Sequence, residues 1–311
     1  MLNLIKDLIN PKNWIKLLLN PKKVKTLYDR VFYYPGLKFG YSKSYLNKKI
    51  LIKTTIFLAK RNKRFNQFFF NDNKEKIIDE IYYNFKDNNF NETLEKTLSI
   101  NGVLVLEQVL SKEEHENFKN DFNIEQSSMP SKIVEGKSSE ILMKRIDKEF
   151  KKNSKLMHIS NNITKSIYGK LVEPNSHYMY AKCLDVPESV YPGDNILHVD
   201  RFLPNLKLVY FPFEVSQNSA PFKYALGSHK INDNYLNFFK NNKNFLFDER
   251  NPDSKQFFKN VKEITVKANS LVVALTNGFH CRTPFREKTD RAALFLNYPK
   301  FNLLSLLFPK N

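Results

Sequence analysis

Cysteine, glycine and tryptophan are all scarce in this chain, and so are acidic residues over its first quarter. Only two cysteines, Cys183 and Cys281, occur in 311 residues. They form no C-x-x-C pair, which excludes a disulfide framework and suits a reducing compartment. Cys281 lies beside a histidine on a strand and is expected to pack rather than to react. Glycines number eight and tryptophans one. Long apolar runs are missing as well. Near the N-terminus the apolar runs are short, such as Ile50-Leu51-Ile52, broken by Lys53, far short of a membrane span. Met1-Leu2-Asn3-Leu4-Ile5-Lys6-Asp7 lacks the basic-then-apolar order of a secretory signal, and no small-residue cleavage site follows. The expected location is therefore cytoplasmic, with peripheral contact at the inner membrane face left open by the charge pattern.

That charge pattern is lopsided. The formal net charge is +18, yet residues 1–70 hold sixteen Lys and Arg against Asp7 and Asp29 alone, a net of +14. The other 241 residues carry 34 basic and 30 acidic side chains, a net of +4. A balanced body argues against a nucleic-acid binder, and the basic segment lacks the aromatic-plus-basic strand face of a single-strand platform. The chain thus divides into a basic, helical segment at 1–70 and a main domain at 71–311. Within the segment, Leu8-Ile9-Asn10-Pro11-Lys12 recurs as Leu18-Leu19-Asn20-Pro21-Lys22. Asn as cap and Pro in the first turn predict short helices from Asn10 and Asn20; another is expected over Tyr45–Lys60. Trp14, Ile15, Leu17 and Leu18 opposite lysines suit an anionic membrane surface. Packing on the main domain is the alternative.

Further on, apolar spacing predicts helices around Glu75–Phe85 and Glu92–Leu98. Gly102–Leu110 reads as a buried strand. Ser111-Lys112-Glu113-Glu114 is a capping box opening a helix to about Phe122, and further helices are expected near Ser139–Lys151 and Ser160–Leu171. From Pro174 the texture changes to short strands: Ser176–Leu184, His198–Phe202, Lys207–Val215, Phe222–Leu226, Val261–Val266, Leu271–Leu275 and Arg291–Tyr298. A helix at Asp233–Lys240 interrupts them. Many short strands with turn signals predict a mainly β chain, a double-stranded β-helix or jelly roll buttressed by N-terminal helices.

The chemistry centres on Ile196-Leu197-His198-Val199-Asp200-Arg201-Phe202. On a strand, His198 and Asp200 share one face. Two such ligands plus a distant histidine make the facial triad of a non-haem Fe(II) site, with open positions for a chelating co-substrate and O₂. His280, in Asn277-Gly278-Phe279-His280, is the candidate third ligand. Arg291 opens the apolar strand Ala292-Ala293-Leu294-Phe295-Leu296. An inward arginine is costly without an anion, and its fork suits a carboxylate. Tyr178, Tyr180 and Lys182 alternate onto one face of the strand before the H-x-D. His115 and His158 read as solvated helix residues, His177 as structural, and His229 as a hydrogen-bonded turn residue.

Gly102–Leu110 with its capped helix, Tyr178–Lys182, His198-Val199-Asp200, Gly227-Ser228-His229-Lys230 and His280…Arg291 resemble, in order and spacing, the phytanoyl-CoA dioxygenase family of Fe(II)/2-oxoglutarate oxygenases. The resemblance spans roughly residues 95–300. It implies His198, Asp200 and His280 as iron ligands and Arg291 on the far carboxylate of 2-oxoglutarate. Lys182, with Tyr180 beside it, falls where relatives place pocket-lining residues, although an exposed strand lysine is an equal reading. Three positions depart from the pattern. Arg282 replaces a small hydroxyl residue, shares a face with His280 and can itself reach a carboxylate or phosphate. Asn269-Ser270 stands where a glycine is usual, and Leu197 where an aromatic often precedes the first histidine. The implied activity is hydroxylation of a small-molecule, lipid or glycan substrate with release of succinate and CO₂, using Fe(II), 2-oxoglutarate and O₂. The competing reading, from a different class, is a non-catalytic jelly-roll binding module targeted by its basic arm.

Overall fold

The structure is a computed structural model, and it describes residues 60, 64, 66–70, 76–85, 90–133, 139–146, 154–169, 171–186, 195–200, 205–241 and 248–298. The helices expected from Asn10 and Asn20, nearly all of the one over Tyr45–Lys60, and the surface they would offer a membrane lie outside the described residues. Among the described residues no helix is long and apolar enough to cross a membrane.

Two sheets form the frame. The larger has eight strands, in the order β1 (Tyr82–Asn84), β2 (Val103–Glu107), β9 (Ser270–Leu275), β6 (Leu206–Phe211), β11 (Asp290–Tyr298), β5 (Asn175–Cys183), β4 (Ser139–Arg145) and β3 (Ser131–Ile133). The smaller has β10 (His280–Arg282), β7 (Phe222–Ala225) and β8 (Val261–Ile264). The segment around His198 extends the smaller sheet. His198 and His280 exchange backbone hydrogen bonds at 3.0 and 2.9 Å, and the Asp200 amide donates to the Thr276 carbonyl at 3.0 Å. This is a jelly-roll arrangement of two facing sheets, without closure into a barrel. Chain-distant strands pair as neighbours, so residues 198 and 280 meet.

Each central strand of the large sheet alternates strictly, as a sheet covered on both faces requires. Leu104, Leu106, Leu206, Leu208, Tyr210, Leu271, Val273, Leu275, Leu294 and Leu296 face a core closed by helices. Val103, Val105, Val209, Phe211, Val272, Ala274 and Ala293 face the smaller sheet, meeting Phe222, Tyr224 and Ile264. The helical layer holds α1 (Glu92–Asn101), α2 (Lys112–Gln126), α3 (Ser154–Tyr168) and, near the smaller sheet, α4 (Asp233–Asn241). At the start of α2, Ser111 and Glu114 form the reciprocal capping box that the sequence announces. Phe118 and Phe122 bring α2 edge-on to Tyr178, at ring separations of 5.9 and 5.1 Å. Phe68, Phe69 and Phe70 are buried in this same core; each fully buried aromatic contributes roughly 1.5–3 kcal/mol.

Three expectations fail for tertiary reasons. Residues 76–81 are not helical, and β1 follows them in parallel with β2. The buried Asn101 side chain grips the Ile78 backbone from both sides, donating to its carbonyl at 2.8 Å and accepting from its amide at 3.1 Å. Ser139–Lys151 was expected to be helical, but Ser139–Arg145 is a strand pairing with β5 along its whole length. A sheet edge outweighs helical spacing there. His115 is buried rather than solvated, with its ring Nε2 3.0 Å from the Pro212 carbonyl oxygen. By contrast, His158 is exposed as expected.

Candidate metal centre and anion pocket

His198, Asp200 and His280 converge, their ligand atoms all within 4.8 Å of one another. The Asp200 Oδ1 lies 3.8 Å from His198 Nε2 and its Oδ2 lies 3.6 Å from His280 Nε2. Both separations are under twice a metal–ligand bond of roughly 2.1 Å, so one ion can bridge each pair. Backbone geometry fixes which nitrogen each ring offers. His198 Nδ1 sits 2.8 Å from the Ile196 carbonyl oxygen and His280 Nδ1 sits 2.9 Å from that of Gly278. Each Nδ1–H therefore donates to a carbonyl, and each Nε2 turns a lone pair towards Asp200. That outer hydrogen bond is what orients a ligating histidine.

The charge states match. Burial, reinforced by His280, lowers the His198 pKa to about 4, so its ring is neutral at pH 7. At Asp200, burial pushes the pKa up, but Lys207 and His280 outweigh it and hold the carboxyl well below its ordinary range. The neutral His198 ring, the His280 ring and the Asp200 carboxylate supply the two nitrogens and one oxygen of a facial triad.

A rigid backing holds the His280 ring. Tyr224, on β7, lies 6.4 Å from it at 24° and donates its hydroxyl to the Leu275 carbonyl at 2.7 Å. Ser228 Oγ accepts from the Phe279 amide at 2.8 Å, and Asn277 Nδ2 donates to the His229 carbonyl at 2.6 Å. Gly278 has no room for a side chain, because a Cβ there would collide with the Tyr224 hydroxyl. The Gly227-Ser228-His229-Lys230 stretch is thus the buttress for the turn that delivers His280. His229 is fully buried, its Nε2 3.0 Å from the Ser99 carbonyl oxygen.

Arg291 lies on the inward face of β11 with Ala293, its register partner on β5 being Ala181. It is 3 % exposed, and Nε has no hydrogen-bond partner. Among the described residues no carboxylate pairs with it; the guanidinium lies over the Phe211 ring, 5.0 Å from its centroid. Burial, then the nearby Arg282 charge, lowers its pKa to about 9. Arg282 is half-buried, lies 5.2 Å over the Phe285 ring and donates weakly to the Thr283 carbonyl. A buried cation of this kind awaits an anion.

Tyr180 and Lys182 do not join this group. Tyr180 pairs in register with Ala292 and Lys182 with Asp290, on the sheet face opposite Ala181 and Arg291. Tyr180 donates to Asp290 Oδ2 at 2.8 Å, and Lys182 is exposed. They do share one face, as their alternation predicts, but it is the helix-covered one. Cys281 turns away from the ligands into a cluster with Ala225, Phe238 and Phe279. Burial pushes its thiol up to about 12, in keeping with packing.

Lys207 is the residue that sequence reasoning passed over. It is the single charged side chain of β6, and its alternation with Val209 and Phe211 turns it inward. Its ammonium lies 2.7 Å from Asp200 Oδ2. A lone charge within an apolar strand was the available signal.

No protein-family model matches the chain, and no curated protein matches it. Solved structures do resemble it. The non-heme alpha ketoglutarate dependent carbocyclase SnoK from nogalamycin biosynthesis is 13% identical, with 68% of this chain and 84% of that one covered and a TM-score of 0.48. HygX from Streptomyces hygroscopicus, solved with nickel and 2-oxoglutarate, is 12% identical over 68% and 89%, with a TM-score of 0.45. EctD from S. alaskensis, solved with bound Fe, is 13% identical over 71% and 81%, again at 0.45. These are likenesses of the folded chain at low identity. The chemistry of the site rests on its own side chains.

Proposed function

We propose that this protein is an Fe(II)- and 2-oxoglutarate-dependent oxygenase, of the phytanoyl-CoA dioxygenase type, that hydroxylates a small-molecule, lipid or glycan substrate. The observation that carries this reading is the pairing of two features in one interior. Three ligand atoms converge, and a buried arginine beyond them pairs with no carboxylate among the described residues. The donor set of two imidazoles and one carboxylate fits Fe(II) with open positions. When bound, the iron with 2-oxoglutarate and O₂ supplies the oxidising power, with succinate and CO₂ as co-products.

The chain's own residues bind and orient. His198 and His280 present their Nε2 atoms, the rings held at Nδ1 by the Ile196 and Gly278 carbonyls. Asp200 contributes the single negative charge, which keeps a third protein ligand in place and favours hydroxylation over halide transfer. Arg291 would fix the far carboxylate of the co-substrate by its planar fork. Val209, Phe211, Val272 and Ala293 make the interior between the sheets apolar.

The test is metal binding by the purified full chain, measured by anaerobic Fe(II) titration, followed by succinate release in the presence of 2-oxoglutarate. One Fe(II) per chain is expected, with His198→Ala, Asp200→Ala and His280→Ala each losing at least 100-fold in metal affinity, on the order expected for removing a ligand. No Fe(II) binding by the wild type would leave the chain a jelly-roll binding module without a metal centre, and wild-type affinity in any variant would remove that residue from the ligand set.

A further inference from the structure

Lys207 carries a positive charge to the rim of a site expected to receive a divalent cation. Its side chain is 17 % exposed, and among the described residues its ion-pair partner is the carboxylate that the metal would also use. Lys207 lies beside Asp200, which in turn faces His198 and His280, and among the described residues no other acidic side chain pairs with Lys207. An ammonium so close to a metal-bound carboxylate is repelled by the ion, and within a protein this repulsion is far stronger than in water. An anion entering beside Lys207 would offset this repulsion when the site is loaded.

Register separates this charge from Arg291. Lys207 pairs across the sheet with Ala274 on β9 and Asn297 on β11. Arg291 lies at the other end of β11 and reaches the Phe211 ring, four residues further along β6. The triad sits at the Lys207 end, so the interior offers an anion two anchors, one beside the metal ligands and one remote. Resting on the oxygenase reading above, we infer that Lys207 is an anion-binding residue on the metal side of the cavity. It would take a carboxylate or phosphate oxygen of a bound ligand once metal engages Asp200. Lysine suits this as a compact point charge that needs no fork geometry. The oxygen can come from the metal-proximal carboxylate of the co-substrate or from an anionic group on the substrate, and the two sources are separable.

The experiment compares wild type, Lys207→Met and Lys207→Arg as full chains loaded with Mn(II), which binds without turnover. Mn(II) affinity is read from the free-ion EPR signal, 2-oxoglutarate affinity by calorimetry, and the melting temperature of the Mn(II)–2-oxoglutarate complex with and without inorganic phosphate. Lys207→Met is expected to keep Mn(II) affinity or tighten it. A loss of 2-oxoglutarate affinity of about tenfold or more in Lys207→Met, restored towards wild type in Lys207→Arg, assigns the anion to the co-substrate. Unchanged 2-oxoglutarate affinity with loss of a phosphate-dependent rise in melting temperature assigns it to the substrate. If Lys207→Met changes neither, or lowers only Mn(II) affinity, Lys207 merely steadies Asp200 and the inference is overturned. Absence of Mn(II) or 2-oxoglutarate binding in wild type itself would overturn the oxygenase reading along with it, and would show in the first two measurements before Lys207 is compared.

Discussion

Burying the Arg291 guanidinium is costly. A guanidinium that is 3 % exposed, with Nε unsatisfied, gains little from the Phe211 ring beneath it compared with the water it has lost. Its presence is a stability cost that binding must offset. Arg291→Leu is therefore expected to raise the melting temperature of the ligand-free protein by about 3 °C or more, as a gain of roughly 1–2 kcal/mol would do in a chain of this size. The same variant should lose 2-oxoglutarate binding while keeping Fe(II) affinity. Differential scanning calorimetry and calorimetric titration check both. A lower melting temperature would mean that the guanidinium is already paired. Arg291→Lys, which keeps charge but loses the fork, should weaken the co-substrate without removing it.

At the scale of elements, the turn before β9 shows how an asparagine serves at a position whose backbone suits glycine. Asn269 adopts φ +63°, the left-handed conformation that glycine takes at no cost. Asparagine tolerates it better than other residues, and here its side chain repays the strain. Its Oδ1 accepts from the Leu110 amide at 3.0 Å and the Tyr210 hydroxyl at 3.2 Å, and its Nδ2 donates to the Leu110 carbonyl at 2.8 Å. One side chain thereby ties the end of β2 to the start of β9 and to β6. Asn269→Ala should cost about 2–4 kcal/mol, losing these bonds and straining the backbone. Asn269→Gly keeps the backbone relaxed and should cost roughly half as much. Urea unfolding of the two variants tests the partition; equal losses would mean the backbone conformation contributes nothing.

For the whole molecule, acid is the informative stress. His198 has a folded pKa of about 4 against an ordinary value near 6.5. A depressed value means the unfolded chain binds the proton first. The contribution is therefore present above about pH 6.5 and lost as pH falls towards 4. Asp200, also held low, adds a second loss beneath the ordinary carboxylate range. Metal-free protein should lose stability at up to about 1.4 kcal/mol per pH unit from His198 alone across this window. Urea midpoints measured from pH 7 to 4.5 should show that slope, reduced in His198→Gln. An unchanged slope would place the proton uptake elsewhere, for instance on the carboxylates that balance a chain of net charge +18.

Sequence alone determined what depends on local periodicity and chemistry. Alternation marked the strands from Asn175 onward, the Ser111–Glu114 box marked the start of α2, and the H-x-D spacing put two ligands on one face. The distant His280 and Arg291 were legible as a histidine and an arginine where apolar strands leave no other use for them. Only the tertiary structure decided which face of each strand looked inward. Period-2 alternation states that Tyr180, Lys182 and their neighbours share a side, and is silent on which sheet or helix covers it. The helical layer took that face, leaving Ala181 and Arg291 to the interior. The same silence hid Lys207, the strand at Ser139–Arg145 and the burial of His115. The last two are settled by partners far away in the chain, β5 beside β4 and the Pro212 carbonyl beside α2, whereas Lys207 is settled by Asp200, seven residues earlier and off its strand. Long-range pairing supplies those free energies, and they appear in no local window of the sequence.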